Sequence, residues 1–200
     1  MAEMHAESPL ATYTDVLARS SVPGHLDIAE IPFTAQVNLR VDPKSPAAER
    51  IGTALGAMLP NQPGDVALVG ELVVLWLGPD EWLLVGPEGS QEDIQTTVNT
   101  ALAGDHAAVV DVSANRTVLS VTGPKARELL NKGCALDLHP NSFESNRCAQ
   151  TMLARAGVIL VCLDAEHPSY WLIVRSSYAR YLADWLTDAV AEYHPSGGEP

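Results

Sequence analysis

A near repeat of one short pattern constrains the fold of this chain more than any other feature. The stretch "GPDEWLLV", residues 78–85, places a turn before a Trp and three large apolar residues, and "HPSYWLIV", residues 167–174, does the same. Turn residues followed by an apolar run are typical of a hairpin that enters a buried strand. The repeat indicates one structural unit used twice. We expect Trp82 and Trp171 each to anchor the start of a strand against the final helix of its own half.

The elements around the repeat recur in the same order. Residues 33–104 predict β-α-β-β-α, with Ser45 capping the first helix and Pro46 at its first position. Residues 107–193 begin with a short strand, "AAVVDVS", and then predict β-α-β-β-β-α. Two such units, each with one apolar sheet face, bury that face best around a shared core. We therefore expect an α+β fold in which residues 31–193 form one domain of two similar halves.

The two ends of the chain lack this periodicity. Residues 1–30 mix small, polar and charged types with Pro and Gly, which predicts an arm with at most one short helix and no core of its own. Residues 194–200, "HPSGGEP", predict a frayed tail.

The charge balance disfavours two classes of partner. The chain has 12 basic and 25 acidic residues and a formal net charge of −13, which repels nucleic acid phosphates and anionic membrane surfaces. It has no run of about 18 apolar residues and no basic segment leading into an apolar one at its start. We therefore expect a cytoplasmic protein that binds neither nucleic acid nor membrane.

The three cysteines do not predict a site. Cys134, Cys148 and Cys162 are odd in number and have no close pair, which argues against a disulfide framework. Together with His139 they form the one conceivable metal set, but zinc ligands usually come as close pairs such as C-x₂-C. No glycine-rich elbow surrounds any of them, as a nucleophile would need. We interpret them as inert thiols and predict no metal site.

Two polar motifs have both a structural and a functional interpretation. Gly123-Pro124 precedes a predicted helix whose free N–H groups could bind an anion, although Pro124 at the first helical position explains the motif equally as a helix start. Asp111, followed by Ser113 and Arg116, ends an apolar strand and is the best candidate for a polar site. Asp and Ser also form turns at such places by bonding nearby N–H groups.

Three long stretches carry a family resemblance. They are "VVDVSANRTVLSVTGPKARELLNKG" from residue 109, "CAQTMLARAGVILV" from residue 148 and "YWLIVRSSYARYLADWL" from residue 170. With "WLGPDEWLLV" and the D-x-S segment after it, the chain resembles the gamma-subunit family of heterotetrameric sarcosine oxidases. The resemblance covers most of residues 30–190.

That family looks like a reduced relative of the folate-dependent aminomethyltransferases, of which the glycine cleavage T-protein is one. The resemblance implies the aminomethyltransferase, or folate-binding, fold, with duplicated ferredoxin-like halves that share one core. In those transferases the strand matching residues 156–163 ends in a pair of aspartates, one of which meets folate and the aminomethyl group. Here Leu160 and Val161 stand in those places, and an alkyl chain cannot act as a general base.

Two further departures from the transferases remove ligand chemistry. Their Asn before the last helix, which helps to hold folate, is replaced here by the "IVRSS" segment with Arg175 and Ser176. Their Tyr-Thr-Gly-Glu loop has no counterpart in this chain. We therefore predict no catalytic and no cofactor-binding residue, with Asp111 and Arg175 as the weak alternatives.

The resemblance implies a non-catalytic gamma subunit within a complex of alpha, beta, gamma and delta chains. The complex would oxidise sarcosine to glycine, hydrogen peroxide and formaldehyde or 5,10-methylenetetrahydrofolate. Flavin (FAD and FMN), NAD and tetrahydrofolate would lie on the partner subunits. The gamma chain would support chiefly the alpha subunit, and residues 1–30 would become ordered only against that partner.

Two other functions stay open at this point. One is a stand-alone folate-binding or one-carbon-transfer enzyme, with Asp111 or Arg175 in an altered site. The other is an interaction module of a different oxidase or dehydrogenase.

Overall fold

The computed structural model describes residues 6–194, which form two five-stranded antiparallel sheets covered by helices. The strands are β1 Asp27–Ile31, β2 Ala35–Val41, β3 Val66–Val69, β4 Leu72–Gly78, β5 Glu81–Gly86, β6 Ala107–Asp111, β7 Arg116–Thr122, β8 Arg147–Leu153, β9 Ala156–Asp164 and β10 Ser169–Arg175. The helices are α1 Thr14–Ser20, α2 Pro46–Leu55, α3 Gln91–Leu102, α4 Ala126–Asn131 and α5 Ser176–Val190. The expected α+β fold with two similar halves is confirmed.

The two sheets have the same internal order. The first sheet runs β3-β4-β5-β2-β6 and the second runs β8-β9-β10-β7-β1. The halves therefore match strand by strand, and in each half a helix follows the last strand of the β4-β5 or β9-β10 hairpin.

One strand of each half is exchanged. Strand β1 precedes β2 in the chain but pairs with β7 of the second sheet, and β6 precedes β7 but pairs with β2 of the first sheet. Each half therefore supplies the edge strand of the other half's sheet. Because this pairing is reciprocal, neither sheet is complete without both halves of the chain.

The helices cover the outer faces and the sheets pack on each other through their inner faces. Helices α2 and α3 pack on the first sheet, and α1, α4 and α5 pack on the second. Between the sheets lies an apolar cluster that we call the inter-sheet core. Its buried members are Val73, Leu75, Leu83, Val85, Val118, Cys148, Ile159, Val161 and Ile173.

The N-terminal segment differs from the expected arm. Its described part contains a 3₁₀ turn, helix α1 and most of strand β1. Leu10, Leu17 and Ile28 are at most 1% exposed and belong to the core of the second sheet. The described part of the segment therefore packs on this chain's own second half. That it becomes ordered only against a partner stays a prediction, which this burial does not favour.

The first half contains one more strand than expected. Strand β3 lies in "DVALVGELVV", where a tight turn at Gly70, with φ of +59°, joins it to β4. The four-residue strand is too short to show a clear alternation of polar and apolar residues. In the second half the predicted order β-α-β-β-β-α is confirmed as β7, α4, β8, β9, β10 and α5.

The two tryptophans of the repeat face opposite ways. Trp82 is 1% exposed and lies in the cluster that α2 and α3 cover, with its indole N–H donating to the Pro60 carbonyl at 2.8 Å. Trp171 lies at the inter-sheet core, and its neighbour Tyr170 faces the helices instead. Trp82 lies on the face that α2 and α3 cover, whereas Trp171 lies on the opposite face. The predicted contact with the final helix is therefore wrong for Trp171, since neighbouring strand residues point to opposite faces.

Helix starts follow the sequence in one case and not in another. The Ser45 side chain accepts from the backbone N–H of Ala48, and Pro46 opens α2 as predicted. Helix α4 begins at Ala126, so Pro124 precedes the helix and does not occupy its first position.

Within residues 6–194, the helices are too short or too polar to cross a membrane.

Candidate functional site

The family resemblance places the carboxylates of the transferases at Leu160 and Val161 of strand β9. Leu160 is 1% exposed and faces the helical core of the second sheet, and Val161 is fully buried in the inter-sheet core. Strand β9 lies between β8 and β10, and the two apolar side chains point to its opposite faces. These positions do not fit a folate-binding strand, because they offer no polar atom and no access from solvent.

The family resemblance places the folate-holding Asn of the transferases in the segment before α5. Arg175 is exposed and immediately precedes the helix, and the hydroxyl of Ser176 donates to the Ala114 carbonyl at 3.2 Å. The Ser176 contact ties the start of α5 to the 3₁₀ turn Ser113–Asn115. Arg175 makes no side-chain hydrogen bond to the helix start.

Asp111 closes a turn at the end of β6. Its Oδ1 accepts from the backbone N–H of Ser113 at 2.9 Å and from the Ser113 hydroxyl at 2.5 Å. The backbone N–H of Gln36 in turn donates to the Ser113 hydroxyl oxygen at 2.9 Å. These bonds form the Asp-Ser turn that the structural interpretation of Asp111 predicted. They also connect β6 to β2 of the first sheet.

Arg116 does not join Asp111 in a site. It begins β7 and lies directly opposite Arg175 of β10 in the antiparallel register. Partial burial lowers the pKa of Arg116, the neighbouring Arg175 lowers it further, and Glu81 acts in the opposite direction. The sequence placed Arg116 near Asp111 along the chain, but the sheet places it beside another arginine.

The cysteines are separated by the sheet. Cys148 lies in the inter-sheet core and Cys162 in the helical core on the other face of the second sheet, while Cys134 is partly exposed. Burial raises the pKa of both Cys148 and Cys162 to about 11. Across residues 6–194 no three His, Cys, Asp or Glu side chains are grouped to hold a metal ion.

The Gly123-Pro124 motif receives the N-terminal segment. Gly123 has φ of +113°, and a Cβ there would lie 2.5 Å from the His25 carbonyl oxygen. The same oxygen accepts from the backbone N–H of Lys125 at 3.1 Å. A donor at this helix start is therefore already paired within the chain, which supports the structural interpretation of the motif.

An open cavity that the sequence did not indicate lies at the start of α5. It has a volume of about 610 Å³, and its lining includes Phe33, Arg116, Ser176 and Arg180. Phe33 comes from the β1–β2 turn, and the others come from β7 and α5. The sequence separates these residues widely, so only a pairwise prediction of strand contacts would have brought them together.

Comparison with known proteins agrees with this geometry. The model of the sarcosine oxidase, gamma subunit family matches residues 40–192. The sarcosine oxidase subunit gamma of an Arthrobacter species is 38% identical over 187 residues, which cover 93% of this chain and 90% of that protein.

Solved structures extend the likeness to the whole fold. A chain of the heterotetrameric sarcosine oxidase from Corynebacterium sp. U-96, determined with pyrrole 2-carboxylate, superposes with a TM-score of 0.88 and 34% identity, covering 97% of this chain and 99% of that one. The glycine cleavage aminomethyltransferase T of Bartonella henselae shares the fold, with a TM-score of 0.65 at 16% identity over 89% of this chain and 56% of that one. This chain belongs to the sarcosine oxidase gamma subunit family.

Proposed function

We propose that this chain is a non-catalytic structural subunit of a cytoplasmic, heterotetrameric sarcosine oxidase. The complex would demethylate sarcosine oxidatively to glycine, with hydrogen peroxide and either formaldehyde or 5,10-methylenetetrahydrofolate as the other products. In this role the chain holds a surface in place for its partners and takes no part in electron or one-carbon transfer.

The match along the whole chain carries the proposal. This chain and the chain of the Corynebacterium enzyme cover each other almost completely, at 97% and 99%. Such a match supports the same role in an assembly, because the two chains share their fold along almost their whole length, with a TM-score of 0.88. The aminomethyltransferase, by contrast, is matched over 56% of its length.

The absence of catalysis is supported by β9. The side chains of Leu160 and Val161 at the centre of β9, both buried in apolar clusters, have no group that could accept a proton or stabilise a cation. The carboxylate of Asp111, at the end of β6, is occupied by its own turn. The chemistry therefore belongs to the partner subunits: alpha, which we propose as the principal contact, together with beta and delta. FAD, FMN, NAD and tetrahydrofolate would be held there.

A reconstitution experiment tests the proposal. We expect the purified chain to show no sarcosine oxidation when it is alone, and to bind a tagged alpha subunit in a pull-down. Omitting the chain from co-expression of the other subunits should lower the yield of assembled oxidase. Turnover by the chain alone, or full assembly and activity without it, would contradict the proposal.

The alternative is a stand-alone folate-binding or one-carbon-transfer enzyme, which the shared aminomethyltransferase fold favours. Titration calorimetry of the isolated chain with tetrahydrofolate separates the two functions. We expect no binding heat, because the positions that meet folate in the transferases are hydrocarbon here. Micromolar binding that is lost in an Arg175→Ala variant would favour the alternative.

A further inference from the structure

The cavity at the start of α5, which we call the arginine cavity, contains arginines that form no ion pair with any acid of residues 6–194. Arg116 and Arg180 line it, together with Phe33, Glu7 and the two serines of the first helical turn, Ser176 and Ser177. Arg175 immediately precedes those serines. Three of the chain's nine arginines are thus gathered at one end of the second sheet, in a protein with a net charge of −13.

The arrangement of Arg116 and Arg175 is unfavourable in the isolated chain. They lie directly opposite each other on β7 and β10, and like charges at opposed positions of an antiparallel pair destabilise the sheet. Arg116 is also half-buried, so its charge is less well solvated than that of an exposed arginine. A negative group placed between the two would relieve both costs.

The described part of the chain does not supply that group. Within residues 6–194 no carboxylate oxygen lies within 4.0 Å of a guanidinium nitrogen of Arg116, Arg175 or Arg180, whereas Arg40, Arg50 and Arg147 each have an acidic partner. Arg180 has one hydrogen bond, from its Nε to the Pro9 carbonyl at 3.5 Å. Three acids have other positions or partners: Glu7 lines the cavity, Glu81 acts on Arg116 through space while its Oε1 accepts from Asn38, and Asp184 lies beside Tyr13.

An exposed aromatic ring borders the same cavity. Phe33 is 40% exposed and is held with φ of +55° in the turn between β1 and β2. A large aromatic residue that is both exposed and in the left-handed region is unusual. Aromatic and arginine side chains are enriched at protein interfaces, where the ring supplies apolar area and the guanidinium pairs with carboxylates.

We propose that the arginine cavity is the docking site for an acidic segment of a partner subunit, with carboxylates pairing to Arg116, Arg175 and Arg180 and an apolar side chain resting on Phe33. This inference rests on the proposed function, which supplies the partner. Charge complementarity selects the occupant, since planar guanidinium groups bind carboxylates in two parallel hydrogen bonds. A polypeptide suits the site better than a small ion because the charges extend from a half-buried strand end to an exposed helix face.

The first test reverses one charge and measures assembly. The Arg180→Glu variant is compared with Arg19→Glu, a matched reversal on the exposed side of α1. We expect Arg180→Glu to weaken binding to a tagged alpha subunit at least about tenfold, because charge-assisted bonds of this kind contribute that much. Arg19→Glu should stay within about twofold, and the salt dependence of wild-type binding should be steeper than that of Arg180→Glu.

The second test separates binding from folding. In Arg116→Gln the like-charge pair is removed, so the thermal midpoint of the isolated chain should be equal to or higher than that of the wild type. Its affinity for the alpha subunit should nevertheless fall at least about tenfold. Loss of affinity without loss of stability has no explanation in a purely structural role for Arg116.

The outcomes distinguish the two proposals. If the wild-type chain binds the alpha subunit and both variants bind equally well, the docking inference is wrong and the proposed function stands. If the wild-type chain binds no subunit, the proposed function fails and the inference falls with it.

Micromolar binding of inorganic phosphate to the isolated chain, abolished in Arg180→Glu while alpha binding persists, would assign the cavity to a small anion. A loss of stability in Arg180→Glu with unchanged alpha binding would place the pairing carboxylate within this chain.

Discussion

At the scale of single residues, burial decides what the three thiols can do. Cys148 and Cys162 have pKa values raised to about 11 because their thiolate forms would be poorly solvated in apolar clusters. Cys134 is partly exposed. Since the thiolate is the reactive species, position in the fold and not sequence spacing sets the order of reactivity.

We expect iodoacetamide at pH 8 to alkylate Cys134 first and to leave Cys148 and Cys162 unmodified in the folded chain. Mass spectrometry of peptides from the labelled protein measures this, with labelling in 8 M urea as the control that all three can react. Equal labelling of Cys148 and Cys134 under native conditions would show that the inter-sheet core opens readily.

The same pKa values predict an alkaline loss of stability. A thiol in the unfolded chain ionises near its ordinary pKa of 9.0, whereas Cys148 and Cys162 stay protonated up to about 11 in the folded chain. Between these values the folded state binds more protons, so stability is fully present below pH 9 and decreases as the pH rises toward 11. Urea denaturation in a Cys148→Ala, Cys162→Ala double variant should show a shallower decrease over that range.

At the scale of elements, the N-terminal segment is part of the second half. Helix α1 and strand β1 cover the β7 edge of the second sheet, and their apolar side chains lie in the same cluster as those of α4 and α5. We therefore expect the segment to stabilise the chain without any partner. Its position also brings Phe33 and Glu7 to the arginine cavity.

Removing one side chain from α1 tests this placement. Leu17 is 1% exposed, so Leu17→Ala should lower the free energy of unfolding by about 2–5 kcal/mol. Arg19→Ala, on the exposed side of the same helix, should change it by no more than about 0.5 kcal/mol. Equilibrium urea denaturation compares the two. A Leu17→Ala chain as stable as the wild type would mean that the segment is an arm after all.

At the scale of the whole molecule, the two sheets are joined at one edge as well as through the inter-sheet core. The backbone N–H of Cys148 donates to the Gly64 carbonyl at 2.7 Å, and that of Val66 donates to the Asn146 carbonyl at 3.0 Å. Arg147 forms an ion pair with Asp65 at the same place. Gly64 permits this approach because a Cβ there would lie 2.6 Å from the Cys148 carbonyl oxygen.

We expect Gly64→Ala to open this edge and destabilise the chain more than Gly70→Ala does. Both glycines have positive φ, at +78° and +59°, so both substitutions carry a backbone cost of about 1–2 kcal/mol. A Cβ at Gly70 meets no atom within 4 Å, whereas the clash at Gly64 should add about 1–3 kcal/mol. Thermal unfolding of the two variants measures the difference. Equal midpoints would show that the contact between the sheet edges is not needed.

Local patterns predicted much of the fold. The cap at Ser45, the hairpin of β4 and β5 and the order of elements in the second half all follow from periodicity and turn residues. The repeat itself was misleading by one position. Side chains alternate along a strand, so a shift of one residue moves a side chain to the other face of the sheet. Trp171 therefore faces the inter-sheet core. Tyr170 faces the helices of its half, as Trp82 does in the first half.

The sequence by itself determined that this is an apolar, duplicated α+β chain with Leu160 and Val161 where the family resemblance places acids, because side-chain chemistry and short-range periodicity are local properties. Tertiary structure alone decided that β1 and β6 exchange between the sheets, that Arg116 faces Arg175, and that Phe33 and Arg180 share a cavity with Arg116. These contacts join residues far apart in the chain. Strand pairing depends on backbone hydrogen bonds, which every residue except proline can form, so local sequence alone does not specify the partner strand.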